Sequence, residues 1–154
     1  MAKFFYRMQN ILDIKMKLEE TAKQEYAEAR HRLDDEERKL AALHDRKQIY
    51  YEQYRQAIQG ALDFLEIESR GNAMDIIKEM IAAQEEMVRK RSKELEQARQ
   101  KLNQVMQERK MHEKLKEKQF EVFKLELNAQ ESKATDEVAG YQFQITHAGQ
   151  DMEE

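Results

Sequence analysis

The sequence predicts an all-α fold, a long antiparallel two-helix coiled-coil hairpin. Three observations carry that expectation: 154 residues with no proline and four glycines, apolar residues at 3,4 spacing along two long stretches, and one region of broken pattern between them. Average usage would supply about 8 prolines and about 11 glycines in a chain of this length, so few backbone breaks are allowed. Charged residues make up 38 % and aromatics 8 %, which suits long solvated helices with a narrow interior better than a thick globular core.

The first helix is written in Tyr26, Ala29, Leu33, Leu40, Leu43, Tyr50 and Tyr54, with Glu36 and Lys47 in the two remaining positions. That is a heptad seam. Upstream the stripe is expected to continue through Ile11, Ile14, Leu18 and Ala22, with four-residue steps that locally unwind the supercoil. The pattern then breaks between Gly60 and Ala73, which includes Gly60, Gly71 and the cluster Ser69, Arg70, Gly71, Asn72. The reversal is placed within 60–73, with room for a short helical turn at Asp63 to Ile67.

The second stripe runs through Ile77, Met80 or Ile81, Gln84, Val88, Leu95, Ala98, Leu102 and Val105, and resumes at Leu115, Phe123 and Leu127. Arg91, Arg109 and His112 interrupt it. Each helix alone would leave an apolar stripe in water, so folding back buries both; a parallel dimer is the competing geometry. At 1.5 Å per residue each arm would be about 80 Å long. Residues 1–138 are expected to form the hairpin, and 139–154 a frayed or disordered tail.

Charge and composition exclude several function classes. Residues 1–70 carry 13 basic and 14 acidic side chains and residues 71–154 carry 14 and 17, so neither half is a nucleic-acid arm. Without cysteine there is no disulfide framework and no thiolate chemistry, which fits a reducing compartment. The N-terminus lacks a signal-peptide core and nowhere do 18 consecutive apolar residues occur, so neither a cleaved leader nor a transmembrane segment is expected.

Catalysis finds no candidates. There is no phosphate-binding glycine loop, no H-E-x-x-H, and the three serines, Ser69, Ser92 and Ser132, have no nucleophile context. Glu28 and His31 make one E-x-x-H step, but a di-metal bundle needs two, and both residues fall off the seam. No cofactor or metal is expected. Residues 89–118 hold 11 basic and 5 acidic side chains while 119–154 hold 2 and 8; this polarity reads as a solvated flank or as an electrostatic docking surface for a protein. Tyr50, Tyr51 and Tyr54 form the densest aromatic cluster, fit for core packing, for a partner contact, or for both.

Several stretches resemble the flagellar export protein FliJ family. The opening KFFYRMQNILDIKMKLEETAKQEYAEARHRL is similar to that family's N-terminal segment. The similarity extends through LAAL at 40–43, QIYYEQYR at 48–55, IIKEMIAAQ at 76–84 and the closing ESKATDE at 131–137. The resemblance implies a coiled-coil hairpin in the type III export apparatus, like the central stalk of rotary ATPases. Its implied partners are the flagellar export ATPase hexamer, the cytoplasmic domain of the export gate, and export chaperones, at the cytoplasmic face of the cell membrane near the flagellar base. It would place a gate contact on Leu43, Lys47, Tyr50 and Tyr54 of the first helix and on Ile77, Met80, Ile81 and Gln84 of the second. Lys47 stands where a hydrophobic residue is expected. The alternatives are a general escort chaperone for export chaperones or substrates, and a generic structural dimeric coiled coil.

Overall fold

A computed structural model describes residues 2–151. Two helices account for nearly all of them, α1 (Gln9–Gln59) and α2 (Phe64–Asp151). With no proline, nothing in either helix removes a backbone donor or clashes with the preceding turn.

The connection is shorter than the sequence pattern indicates. It occupies only residues 60–63, the first four of the expected window. Asp63 then starts α2: its Oδ1 accepts hydrogen bonds from the backbone N–H of Leu65 at 3.1 Å and of Glu66 at 3.4 Å. An N-terminal aspartate followed three residues later by a glutamate is a strong helix start. The helical turn expected at Asp63 to Ile67 is therefore the first turn of α2. Ser69, Arg70, Gly71 and Asn72 lie inside that helix, and no described glycine has positive φ. A cap only a few residues upstream outweighs the modest helix penalty of one glycine.

An unbroken 3,4 repeat organises both helices. On α1 every position of that repeat from Leu12 to Ala57 is buried or half-buried, and on α2 every position from Ile67 to Lys116. This corrects the expected upstream seam: Leu12, Lys15 and Glu19 take the inward positions, and Ile11, Ile14 and Leu18 are exposed. No local unwinding is needed. The reason is phase, because the heptad set by Ala22, Tyr26 and Ala29 extends backward through charged residues whose stems fill the seam. Glu19 keeps its carboxylate 3.5 Å from Lys23. Arg91, Arg109 and His112 likewise occupy the second seam instead of interrupting it, and Lys116 replaces Leu115 there.

The chain divides into two compact units, one of Lys17–Met106 and one of the residues up to Met16 with those from Gln107. In the first, the antiparallel register is fixed by three contacts across the helix pair. Arg70 donates to Gln53 Oε1 at 2.9 Å, Gln84 donates to the Glu36 carbonyl at 3.0 Å, and Lys101 pairs with Glu25 at 2.9 Å. Its best-buried side chains are Ala22, Ile77 and Ile81.

In the second unit the non-helical N-terminal residues fold onto α2. Phe4 meets Phe120 edge-on at 5.1 Å between centroids and Phe123 at 5.5 Å, and Tyr6 and Leu12 are buried. Lys15 pairs with Glu108 at 2.8 Å. Beyond Leu127 no described residue packs against α2, and every side chain from 128 to 149 is exposed. The tail from 139, expected to be frayed or disordered, continues the helix to Asp151. Its residues are mostly weak helix formers, with glycines at 140 and 149, but extending an existing helix avoids a new nucleation cost.

Candidate interaction site

The residues singled out for partner contact all lie in the Lys17–Met106 unit, on the arms leading to the connection. Leu43, Lys47, Tyr50 and Tyr54 are consecutive seam positions of α1, and all four are half-buried. Their outer edges remain at the surface, as a two-helix seam requires.

The α2 residues divide differently. Ile77 is 1 % exposed and Ile81 is buried, so both are packed against α1. Met80 lies off the seam and is 42 % exposed. Gln84 is half-buried, and its amide is used across the pair, donating to the backbone carbonyl and to the carboxylate of Glu36. Of the eight candidates, Met80 alone is classed as exposed.

A groove forms where Gly71 comes up against Tyr54. A Cβ built on Gly71 would lie 3.7 Å from Tyr54 Cε2, so the missing side chain leaves a notch beside the tyrosine ring. Tyr51, Tyr54, Ile67 and Met74 line it with Glu68, Asp75 and Lys78, enclosing about 530 Å³. Of these, the sequence marks Tyr51 only as a member of the tyrosine cluster and Gly71 only as a residue of the expected reversal, and it does not mark Ile67 and Met74 as contact residues. The signal was available for Tyr51, which stands seven residues after His44 and seven before Ile58, on the strip that borders the seam. Leu62, Phe64 and Leu65 are exposed close by in the chain, at the connection.

Part of the charge at 89–118 is neutralised along its own helix. Arg91 pairs with Glu94 at 2.9 Å, Arg99 with Glu96 at 2.8 Å and Arg109 with Glu113 at 2.8 Å. The hydrogen bond from Arg91 holds the Glu94 carboxyl below the usual glutamate range, and that from Arg99 does the same for Glu96. Such surface pairs add little stability each. Glu28 and His31 are both exposed, and among the described residues no group of three or more His, Cys, Asp or Glu could hold a metal ion. No helix among them is long and apolar enough to cross a membrane.

The profile of the flagellar FliJ protein family matches residues 4–146. The chain belongs to the FliJ family. That makes it a component of the flagellar type III export apparatus, in a family of structural, non-enzymatic parts. It also removes the generic coiled coil unrelated to export. Among solved structures, the chain is similar to that of a putative YscO homolog, CT670, from Chlamydia trachomatis. The match has 23 % identity and a TM-score of 0.63, and covers 93 % of this chain and 97 % of that one. At that identity it supports the two-helix fold alone. A search of curated protein sequences finds no match.

Proposed function

We propose that this FliJ-family chain acts as the central stalk of the flagellar export ATPase ring and couples it to the export gate. The observation that supports it is the long stretch of α2 beyond Leu127, where all side chains from 128 to 149 are exposed. A single helix about 10–12 Å across is slim enough for a ring pore, and it offers Val138, Tyr141, Phe143 and Ile145 at its surface. The gate contact would use the outer edges of Leu43, Lys47, Tyr50 and Tyr54 with Met80. Ile77, Ile81 and Gln84 would hold that surface in place from within the seam. The chain would work at the cytoplasmic face of the membrane as a peripheral component.

The test is to add the full chain, and a version ending at Leu127, to purified export ATPase. Hexamer formation and turnover should rise with the full chain and not with the shortened one. If neither version binds the ATPase or changes its assembly, the stalk role is wrong.

A second role, escort of export chaperones or their substrates, is favoured by the groove beside Gly71, where Tyr51 and Tyr54 offer aromatic surface. Tyr51→Ala with Tyr54→Ala should weaken chaperone binding while helicity survives. Unchanged binding rules that role out.

A further inference from the structure

The unit built from residues up to Met16 and from Gln107 has an apolar side that no described residue covers. On α2, Met111, Leu115, Val122 and Leu125 are 37 to 69 % exposed. With Lys118 among them they recur at steps of four, three, four and three residues, the spacing of a coiled-coil seam. This stripe is offset from the inward one, which runs through Arg109, His112, Lys116 and Phe123. On α1, Ile11 and Ile14 are also exposed.

The ion pair between Lys15 and Glu108 shows that the two sets share a side. Leu115 and Val122 follow Glu108 by one and two heptads, hence on the same face of α2. Ile11 precedes Lys15 by one helical turn on α1. Two walls of exposed aliphatic side chains therefore border one furrow, which is the geometry that receives a third helix.

Charge selects the occupant. Residues 2–16 and 107–125 carry nine basic and five acidic side chains, and two of those acids, Glu108 and Glu113, are in ion pairs with Lys15 and Arg109. Lys114 and Lys118 are exposed within or beside the stripe. A second copy laid on this face would set one net-basic patch against another, since a two-fold contact brings the same patch of both copies together. An anionic bilayer would repel the neighbouring stretch of α2, where Glu131, Asp136 and Glu137 outnumber Lys133. We infer that this side docks an acidic amphipathic helix of another protein, with its aliphatic residues over Ile11, Ile14, Met111 and Leu115 and its carboxylates on Lys114 and Lys118. This goes beyond the stalk role and does not depend on it.

The probe is a fluorescent three-heptad peptide with leucine at its seam positions and glutamate flanking them, whose own charges oppose self-pairing. Its anisotropy is titrated with the full chain. Saturable binding is expected, weakening as salt rises because the flanking contacts are screened. Met111→Asp with Val122→Asp should weaken it at least tenfold at unchanged helicity. Lys114→Glu with Lys118→Glu should lose the glutamate peptide and gain its lysine-flanked counterpart, a switch that misfolding cannot produce. Ile49→Asp, at an exposed position of the other unit, should leave the peptide affinity unchanged. The inference is overturned if the glutamate peptide does not bind, if both peptides bind the native chain alike, or if the charge-reversed variant shows no switch. Capture of phosphatidylglycerol vesicles, or dimer formation, through these same residues would also overturn it.

Discussion

Gln84 spans the helix pair to Glu36, donating its amide to both the backbone carbonyl and the side-chain carboxylate of that one residue. Glu36 is buried, and its nearest cation, Lys39, stands 3.7 Å away on the same helix. Gln84→Ala should therefore destabilise the fold by about 1–3 kcal/mol, the cost of leaving a buried acceptor without its donor. Replacing both residues by leucine should be neutral or stabilising, since a packed apolar pair avoids the desolvation of the charge. Urea unfolding followed by circular dichroism separates the two outcomes. A double-leucine variant less stable than Gln84→Ala would show that the clasp contributes more than it costs.

Gly71 sits within α2, and a methyl group there would meet Tyr54 at an ordinary contact distance of 3.7 Å. Gly71→Ala should stabilise the protein by about 0.5–1 kcal/mol, through helix propensity alone. A residue that formed the reversal would respond the other way. Asp63→Ala should cost about 1 kcal/mol by removing the cap on Leu65 and Glu66. Thermal melts of the two single variants give opposite signs if the connection is 60–63.

Which parts of this were legible in the sequence follows from where its apolar residues are unambiguous. From Ala22 to Tyr54 the seam reads directly, because apolar residues fill all but Glu36 and Lys47. Near the N-terminus two phases compete, and the more hydrophobic one, through Ile11, Ile14 and Leu18, is the one left outside. Lys15 and Glu19 win the inward positions only because they continue a phase set elsewhere, which no local count of hydrophobicity detects. The turn was misleading for a related reason. Ser69 to Asn72 has loop composition, but Asp63 had already capped a helix that then runs through it. At the candidate site the tyrosines were visible as a cluster, while the groove depends on Gly71 meeting Tyr54 across the pair, a contact set by register.

The stretch of α2 from 128 to 149 should be the least stable helix in the protein. Most helical stability in proteins comes from packing an apolar face, and no side chain there is even half-buried. Its amides should exchange orders of magnitude faster than those around Ile77, and removing it should leave the unfolding midpoint of the rest unchanged. Hydrogen exchange read by mass spectrometry checks this. Strong protection beyond Leu127 in the isolated chain would mean that something covers the helix.

Glu94 and Glu96 should titrate below the usual glutamate range, because each carboxylate accepts a hydrogen bond from an arginine on its own helix. Their folded values lie below the unfolded one. The small stabilisation they give is thus complete above the ordinary glutamate range and is lost as pH falls through their lowered values. Carbon-detected NMR titration resolves individual carboxylates, and Arg99→Gln should return Glu96 toward its usual value. Because Arg99 and Glu96 are both exposed and screened, the global melting temperature should barely change with that substitution.

Ile77 and Met80 separate packing from recognition at the candidate gate surface. They are three residues apart on one helix, yet Ile77 is sealed in the seam and Met80 faces water. Ile77→Ala should cost about 2–4 kcal/mol, the range for truncating a buried aliphatic side chain with a residual cavity. Any loss of partner binding in that variant should follow the loss of folded protein and be recovered at lower temperature. Met80→Ala should change stability by less than about 0.5 kcal/mol, as exposed substitutions do, so a binding defect there reports contact. Measuring affinity for the export gate domain across temperature, alongside the folded fraction, distinguishes the two. If Met80→Ala binds normally and Ile77→Ala fails even when fully folded, recognition takes place through an opened seam, and the gate surface must be sought on the inner faces of the two helices.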